Sequence, residues 1–240
     1  MTEAGIKNSG MKITSMKKSS LLTVFMLIGI FLASCSKNHD LPNVENITKG
    51  SKWTLKIGST PEQVYTQLQS LSAEKNFDRV AVVYRKSYVK PEDIKGIFAY
   101  YDAITLQSSS GRVDRAVIKL DHNKVDAIEM GGSLLDSIPE WPQDYPDETA
   151  IRRDDPTGVV YEKLVKIYQS QTYQDYQIVL PDKPVNWPYD PDMANYGEWA
   201  FDFIEDLGSL RYGQHSVRLY FEHNKLIKIS VRYNEGQAYN

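Results

Sequence analysis

The 240-residue chain contains a single cysteine, so no internal disulfide can form. It lacks the Gly-x-Ser-x-Gly, P-loop, dinucleotide-binding and His-Glu-x-x-His motifs, so the sequence predicts no catalytic residues, no cofactor and no metal. An excess of positive charge is missing too, because 28 Lys and Arg against 31 Asp and Glu give a net charge of -3. These absences favour a protein that is not an enzyme and that binds no nucleic acid.

The first residues carry a targeting pattern. Lys17 and Lys18 precede an apolar run at 21–32 that is too short to span a bilayer and has the order of a secretory signal. The run ends in Leu-Ala-Ser-Cys35, which resembles the lipobox of bacterial lipoproteins. This resemblance implies that residues 1–34 are a signal peptide, that Cys35 is lipidated, and that this lipid alone anchors the protein in the bacterial envelope, at the outer membrane.

The mature chain resembles itself at a fixed separation. Residues 120–125 and 221–226 share an acidic-His-Asn-Lys segment and lie 101 positions apart, a separation that also aligns Phe98 with Trp199. Earlier positions align at a separation of 96. The change of separation predicts an insertion in the loop at 183–197.

This duplication divides the mature chain. The polar residues 35–51 read as a tether, 52–131 as repeat 1, 132–147 as a connecting segment, and 148–240 as repeat 2 with a C-terminal tail. An isolated repeat would bury too little surface to be stable, so we expect both repeats to share one compact domain.

Each repeat starts with a helical pattern and continues with strand patterns. Thr60-Pro61-Glu62-Gln63 is typical of a capped helix start, and Asp154-Asp155 is expected to cap the second helix. Alternating or β-branched runs follow each helix. The sequence predicts an α+β fold of two tandem repeats, each a helix packed on a four-stranded antiparallel sheet.

This order of elements resembles a known family. A helix opened by residues 57–64 and a closing hairpin at 221–226 resemble the tandem-repeat fold of the β-lactamase inhibitor protein, and are similar to small outer-membrane assembly lipoproteins. The resemblance implies a non-enzymatic, protein-binding role.

The histidines and one acidic loop are the candidates for catalysis or metal binding. His122 and His223 occupy equivalent predicted turns, which explains both without chemistry. The loop at 190–195 begins like a calcium loop, but Ala194 stands where an oxygen ligand is needed. His215 is the best remaining candidate for catalysis, provided that a pocket joins it to a carboxylate.

Aromatic side chains are the more promising feature. Strand alternation predicts that Phe98, Trp199 and their neighbours at even spacing face the helices, which leaves the opposite sheet face exposed. The candidate partner-binding residues lie on that face and in two aromatic loops: Tyr101, Trp141, Tyr145, Trp187, Tyr189 and Tyr220. The loop aromatics could instead fill the core or a seam between the repeats, which we expect segment 137–155 to seal.

These observations favour a lipid-anchored envelope protein that binds an unknown envelope protein, as an inhibitor, immunity factor or assembly accessory. One alternative is a small-molecule or glycan-binding lipoprotein, in which Trp141, Trp187 and Tyr189 would stack on sugar rings. The other is an unrecognised envelope hydrolase.

Overall fold

The computed structural model describes residues 43–109, 115–131 and 135–237, and the lipidation site Cys35 lies outside them. The described chain is mostly β. Its strands are β1 Asn43–Ile47, β2 Ser51–Lys52, β3 Leu55–Lys56, β4 Arg79–Val82, β5 Ala103–Ser108, β6 Arg115–Asp121, β7 Lys124–Gly131, β8 Leu135–Ile138, β9 Glu140–Trp141, β10 Ile151–Arg152, β11 Tyr176–Val179, β12 Lys183–Pro184, β13 Glu198–Gly208, β14 Arg211–Glu222 and β15 Lys225–Gln237. Its α-helices are α1 Pro61–Lys75 and α2 Thr157–Tyr168, with 3₁₀ helices at Pro91–Ile94, Ile97–Ala99 and Pro191–Asn195.

Two antiparallel sheets contain most of the strands. The six-stranded sheet has the order β1-β15-β14-β13-β4-β12, and the five-stranded sheet has the order β11-β5-β6-β7-β8. Each sheet is built around a meander of three consecutive strands, β13 to β15 in the six-stranded sheet and β5 to β7 in the five-stranded sheet. The pairs β2–β3 and β9–β10 form separate two-stranded ribbons.

The predicted start of α1 is confirmed. The Thr60 hydroxyl accepts a hydrogen bond from the Gln63 backbone N–H, and the Gln63 side chain accepts one from the Thr60 N–H. Asn76 ends the helix in the left-handed conformation, with φ of 56°. Within the described residues, no helix has the length and apolar character needed to cross a bilayer.

The second helix starts differently from the expectation. Pro156 is its N-cap and no side chain caps the helix, so the predicted capping role of Asp154 and Asp155 is wrong. The Asp155 carboxylate instead accepts hydrogen bonds from the Arg152 N–H at 2.7 Å and from Lys163 Nζ at 2.8 Å. Asp154 bonds a lysine of the β6–β7 hairpin. The donors to these two carboxylates are therefore lysine side chains and a turn amide, and not the backbone amides at the start of the helix.

Each helix packs on the meander that comes from the other half of the chain. Leu68 of α1 is fully buried in a cluster with Trp199 of the six-stranded sheet, and Leu164 of α2 in a cluster with Ile104 of the five-stranded sheet. The strand that follows each helix also pairs with the other half, since β4 pairs with β13 and β11 pairs with β5. The two halves therefore exchange a helix and a strand within one chain.

This exchange corrects the predicted fold class. The chain is mostly β with large antiparallel sheets, and no arrangement of two self-contained repeats, each with a helix on four of its own strands, is present in the described residues. Local sequence patterns identified most strands but carried no information on which meander each helix would cover. The fully buried helix faces require the opposite meander, which supplies the larger share of their apolar contacts.

Equivalent backbone hydrogen bonds connect the start of each helix to the meander of the other half of the chain. Leu226, at the start of β15, exchanges two hydrogen bonds with residues 58–59 before α1, at N···O distances of 2.8 and 2.9 Å. Val125, at the equivalent position of β7, does the same with residues 154–155 before α2, also at 2.8 and 2.9 Å. These four bonds place each helix start beside the hairpin turn of the other half.

The insertion in the second half lies in a hairpin rather than in the loop at 183–197. Lys119 pairs with Ala103, 16 positions earlier, whereas the equivalent Tyr220 pairs with Glu198, 22 positions earlier. The β13–β14 hairpin is therefore six residues longer than its counterpart. The predicted alignment of Phe98 with Trp199 is wrong for the same reason, because Phe98 lies in a 3₁₀ helix and Trp199 in a strand.

Two further predicted segments take part in the fold. Residues 43–47 of the predicted tether form the edge strand β1, which pairs with β15. Its side chains are largely exposed, so it has no apolar alternation that would mark it as a strand. Segment 137–155 contributes Trp141 and Ile151 to the cluster of the five-stranded sheet, where residues of both predicted repeats meet, and the Trp141 ring lies 5.1 Å from the Tyr173 ring.

Candidate partner-binding face

The six-stranded sheet has one face covered by α1 and one face open to solvent, which we call the outer face. Three cross-strand rows of the meander define it. From β13 through β14 to β15, they are Glu198–Tyr220–Lys228, Ala200–Arg218–Ser230 and Asp202–Ser216–Arg232. Because side chains alternate along a strand, the residues between these positions point into the core.

The outer face is concave. Its depression has a volume of about 450 Å³ and is lined by side chains from β1, β13, β14 and β15. Its lining includes small side chains at Ala200, Ser216 and Ser230 and larger ones at Arg218 and Tyr220. The small side chains at Ala200, Ser216 and Ser230 leave room for the hollow.

Specific contacts hold the larger side chains in place. The Arg218 guanidinium donates to the Glu198 carboxylate at 2.6 Å, and this bond raises the pKa of Arg218 above its usual value. Lys228 Nζ lies 3.9 Å from the centre of the Tyr220 ring. Such contacts between exposed groups contribute little to stability, so their main effect is to orient the side chains.

Charge is divided across the outer face. The acids Glu198 and Asp202 lie on β13, and the bases Lys228 and Arg232 lie on β15, two strands away. Asp202 and Arg232 are exposed, and among the described residues neither side chain has an ion pair. A partner with the opposite division of charge would gain electrostatic complementarity here.

Sequence reasoning found Tyr220 on this face but missed Lys228 and Arg232. Tyr220 is partly exposed, as expected for its predicted face. The signal for the other two was available, because the alternation that places Tyr220 outward in β14 can be continued through the turn into β15. The predicted partner-binding residues therefore included none from β15.

Tyr101 does not lie on an exposed face, so that prediction is wrong. It is fully buried, and its hydroxyl donates to Asp190 Oδ2 at 2.8 Å. The residues before it form a 3₁₀ helix rather than a strand, so strand alternation does not apply to them. Burial among these groups raises the pKa of Tyr101 well above its usual value.

The groups around Tyr101 form a buried polar cluster. Arg85 pairs with Asp190 at 3.2 Å and also hydrogen-bonds Tyr101. Lys183 is fully buried, donates to the Pro184 carbonyl at 2.9 Å, and lies 5.4 Å from the Tyr101 ring centre. Burial lowers the pKa of Lys183 to about 7. With these side chains enclosed, the cluster is a structural feature rather than a binding surface.

The remaining predicted aromatics are covered to different degrees. Trp141 is 2 % exposed and cannot stack on a ligand without rearrangement. Tyr145 and Trp187 are half-buried, and the Tyr145 ring lies 5.8 Å from that of Tyr173. Tyr189 is also half-buried and its ring lies 5.5 Å from that of Tyr65. None of these side chains lines the hollow of the outer face.

His215 lies in β14 on the side that faces the core. Its ring stacks on Phe203 at 4.4 Å between centroids, and Nε2 lies 3.3 Å from Glu205 Oε2. A concavity of about 290 Å³ joins it to Glu45 and Glu205, so the pocket required for catalysis between His215 and a carboxylate is present. The described lining of this concavity contains no serine, threonine or cysteine that could act as a nucleophile.

The equivalent turns contain His122–Asn123 and His223–Asn224. All four residues have positive φ, between 46° and 64°, as a two-residue hairpin turn requires. Among the described residues, no group of three or more His, Cys, Asp or Glu side chains is arranged to hold a metal ion.

Comparison with known proteins gives no match at a significant level, whether to family models, to curated proteins or to solved structures. The resemblance to the β-lactamase inhibitor protein therefore stays a prediction from sequence pattern.

Proposed function

We propose that the chain is a non-catalytic, lipid-anchored protein of the bacterial envelope, which binds another envelope protein through the outer face of its six-stranded sheet. The role is that of an inhibitor, an immunity factor or an assembly accessory. The observation that carries the proposal is the hollow of about 450 Å³, whose lining includes the acid Asp202 on β13 and the base Arg232 on β15, neither of which has an ion pair among the described residues.

The composition of the face supports a protein partner. Tyr220 and Arg218 are of the residue types enriched at protein interfaces, and they line the hollow together with small side chains. The mixture of both charges suits a protein surface better than lipid, whose hydrocarbon would leave these groups without partners. The glycan alternative loses one of its three stacking residues, since Trp141 is buried.

The anchor is supported by the sequence. The basic residues, the apolar run and the Leu-Ala-Ser-Cys35 segment stand in the order that a lipoprotein signal requires. Lipidation at Cys35 would hold the binding face near the membrane and raise its effective concentration for a partner in the same envelope.

The test is a pull-down from envelope extract with the mature chain and three variants. Tyr220→Ala and Arg232→Glu alter the outer face, whereas Lys119→Glu alters the equivalent face of the five-stranded sheet at an exposed position. We expect the wild type and Lys119→Glu to recover the same partner and the two outer-face variants to recover at least about fivefold less. Equal recovery by all four proteins would refute the assignment of the face.

A further inference from the structure

The β13–β14 hairpin reaches beyond the body of the six-stranded sheet. It is longer than its counterpart in the five-stranded sheet, and every residue from 204 to 211 is exposed. The edge strand β1 pairs with β15 only as far as Tyr233, so it does not extend along this part of the sheet. Among the described residues, β15 is therefore the only strand that pairs with this part of the hairpin, whose residues are exposed to solvent.

Large apolar side chains are concentrated on this projection. Ile204 is 65 % exposed, Leu207 38 % and Leu210 54 %. They are three of the seven exposed large hydrophobic side chains in the described part of the chain. Single exposed apolar residues are ordinary, but a cluster at the end of a projecting element marks an interaction site.

The turn itself is unfavourable for stability. Ser209 and Leu210 form a two-residue turn with φ of 54° and 62°. At the position of Leu210, the other two turns of this kind within residues 43–109, 115–131 and 135–237 have Asn123 and Asn224, with φ of 64° and 60°. Asparagine tolerates the left-handed region and leucine does not. A bulky leucine that is both strained and exposed is more easily explained by binding than by folding.

The hairpin is braced despite its exposure. The Tyr233 ring covers Gly213 so closely that a Cβ there would lie 2.7 Å from the ring, and the Tyr212 ring covers Gly236 in the same manner. Arg211 at the tip pairs with Glu235 of the neighbouring strand. The apolar tip is thus presented on a rigid support, which lowers the entropic cost of binding.

We propose that Ile204, Leu207 and Leu210 insert as a wedge into an apolar pocket with a basic rim on the protein partner. This inference rests on the proposed function, because the partner is the protein that the outer face binds. Ile204 follows Asp202 on the same side of β13, so the wedge begins at the end of the outer face.

The charge of the residues beside the wedge indicates which charge the rim of the partner's pocket should carry. Asp206 is exposed beside the wedge and has no ion pair among the described residues, whereas Glu205 lies 3.3 Å from His215 and Arg211 is paired with Glu235. The tip therefore carries uncompensated negative charge, which complements a basic rim and is repelled by anionic lipid headgroups.

The experiment uses the mature chain with the double variant Leu207→Ser/Leu210→Ser. Val89→Ser is the matched control, because Val89 is 57 % exposed but lies in another loop. In the pull-down from envelope extract, we expect the double variant to recover about tenfold less partner or lower and Val89→Ser to match the wild type. A photo-crosslinking residue at Leu210 should label that partner, and one at the exposed Ser109 of the shorter hairpin should not.

Each other result overturns the inference in a different way. If the double variant recovers the partner normally while Tyr220→Ala loses it, the wedge is wrong and the proposed function stands. If the wild type recovers no partner, both fall. Flotation with phosphatidylethanolamine–phosphatidylglycerol vesicles that depends on the two leucines would identify a membrane contact instead. A crosslinked dimer in the purified protein would identify a second copy.

Discussion

The two meander sheets are alike on the side that faces a helix and different on the side that faces solvent. Towards the helices, Ile104 and Ile118 of the five-stranded sheet correspond to Trp199 and Leu219 of the six-stranded sheet, and all four are buried. This similarity shows that both sheets meet the same packing requirement, which is to cover the apolar face of one helix.

Towards solvent, equivalent positions hold different chemistry. Lys119 and Ala127 of the five-stranded sheet stand where the six-stranded sheet has Tyr220 and Lys228. The hairpin that precedes these strands is also longer in the six-stranded sheet. Packing on a helix does not require these differences, and under the proposed function they mark the residues that contact the partner.

The largest effect is expected from separating the two halves. Residues 43–131 and 135–240, expressed alone, should each fail to melt cooperatively, because each fragment has lost the helix that covers its meander. Co-expressed, the fragments should assemble and recover a cooperative transition, measured by circular dichroism and by co-purification. Cooperative melting of one isolated fragment at the temperature of the intact chain would contradict the exchange.

A smaller effect is expected from the buried polar cluster near Asp190. Lys183→Met should raise the free energy of unfolding at pH 7 by about 1–4 kcal/mol, because it removes a buried ammonium group. The Pro184 carbonyl keeps a donor in the variant, since the Tyr65 hydroxyl also bonds it at 2.7 Å. Lys163→Met is the control and should destabilise, because Asp155 and the Ala150 carbonyl would each lose the Lys163 donor.

The same lysine predicts a pH dependence. Its pKa is lowered from 10.5 to about 7 in the folded protein, so between these values the unfolded chain binds more protons. The cost of burying Lys183 is therefore complete below about pH 7 and decreases as pH rises towards 10. Thermal melts from pH 7 to 9.5 should show increasing stability in the wild type and a smaller increase in Lys183→Met. Parallel curves for the two proteins would contradict this account.

The smallest effect concerns the strained turn of the projecting hairpin. Leu210→Asn gives it the residue found at the same place in the other two turns, so we expect the free energy of unfolding to rise by about 0.5–1 kcal/mol. Asn224→Leu should lower it, since it introduces the strain where none exists. Chemical denaturation measures both. A destabilised Leu210→Asn would show that the leucine contributes to folding.

Much of the local structure was predictable. Strands follow each helix as the sequence predicts, the capping of α1 at Thr60 and Gln63 is confirmed, and the His-Asn turns have the expected conformation. These features depend on neighbours in the sequence, through hydrogen bonds of a helix start or the backbone demands of a turn.

The exchange of helices was not predictable, because apolar positions such as Leu68 and Leu164 would fit either meander. The outer face was predictable in part, since Tyr220 follows from alternation, whereas Tyr101 failed where a 3₁₀ helix replaced the strand. The wedge was not predicted, because the alignment of the two repeats placed the additional residues at 183–197 instead of in the β13–β14 hairpin.

The central claim is that the outer face of the six-stranded sheet binds the partner. Its most direct test transfers solvent-facing residues of the five-stranded sheet to this face. Arg218→Val, Tyr220→Lys and Lys228→Ala give the six-stranded sheet the residues that the five-stranded sheet has at Val117, Lys119 and Ala127. The measurement is partner recovery by this triple variant alongside its melting temperature. The account predicts that recovery falls at least about tenfold while melting changes little. Recovery equal to the wild type in a normally folded triple variant would contradict it.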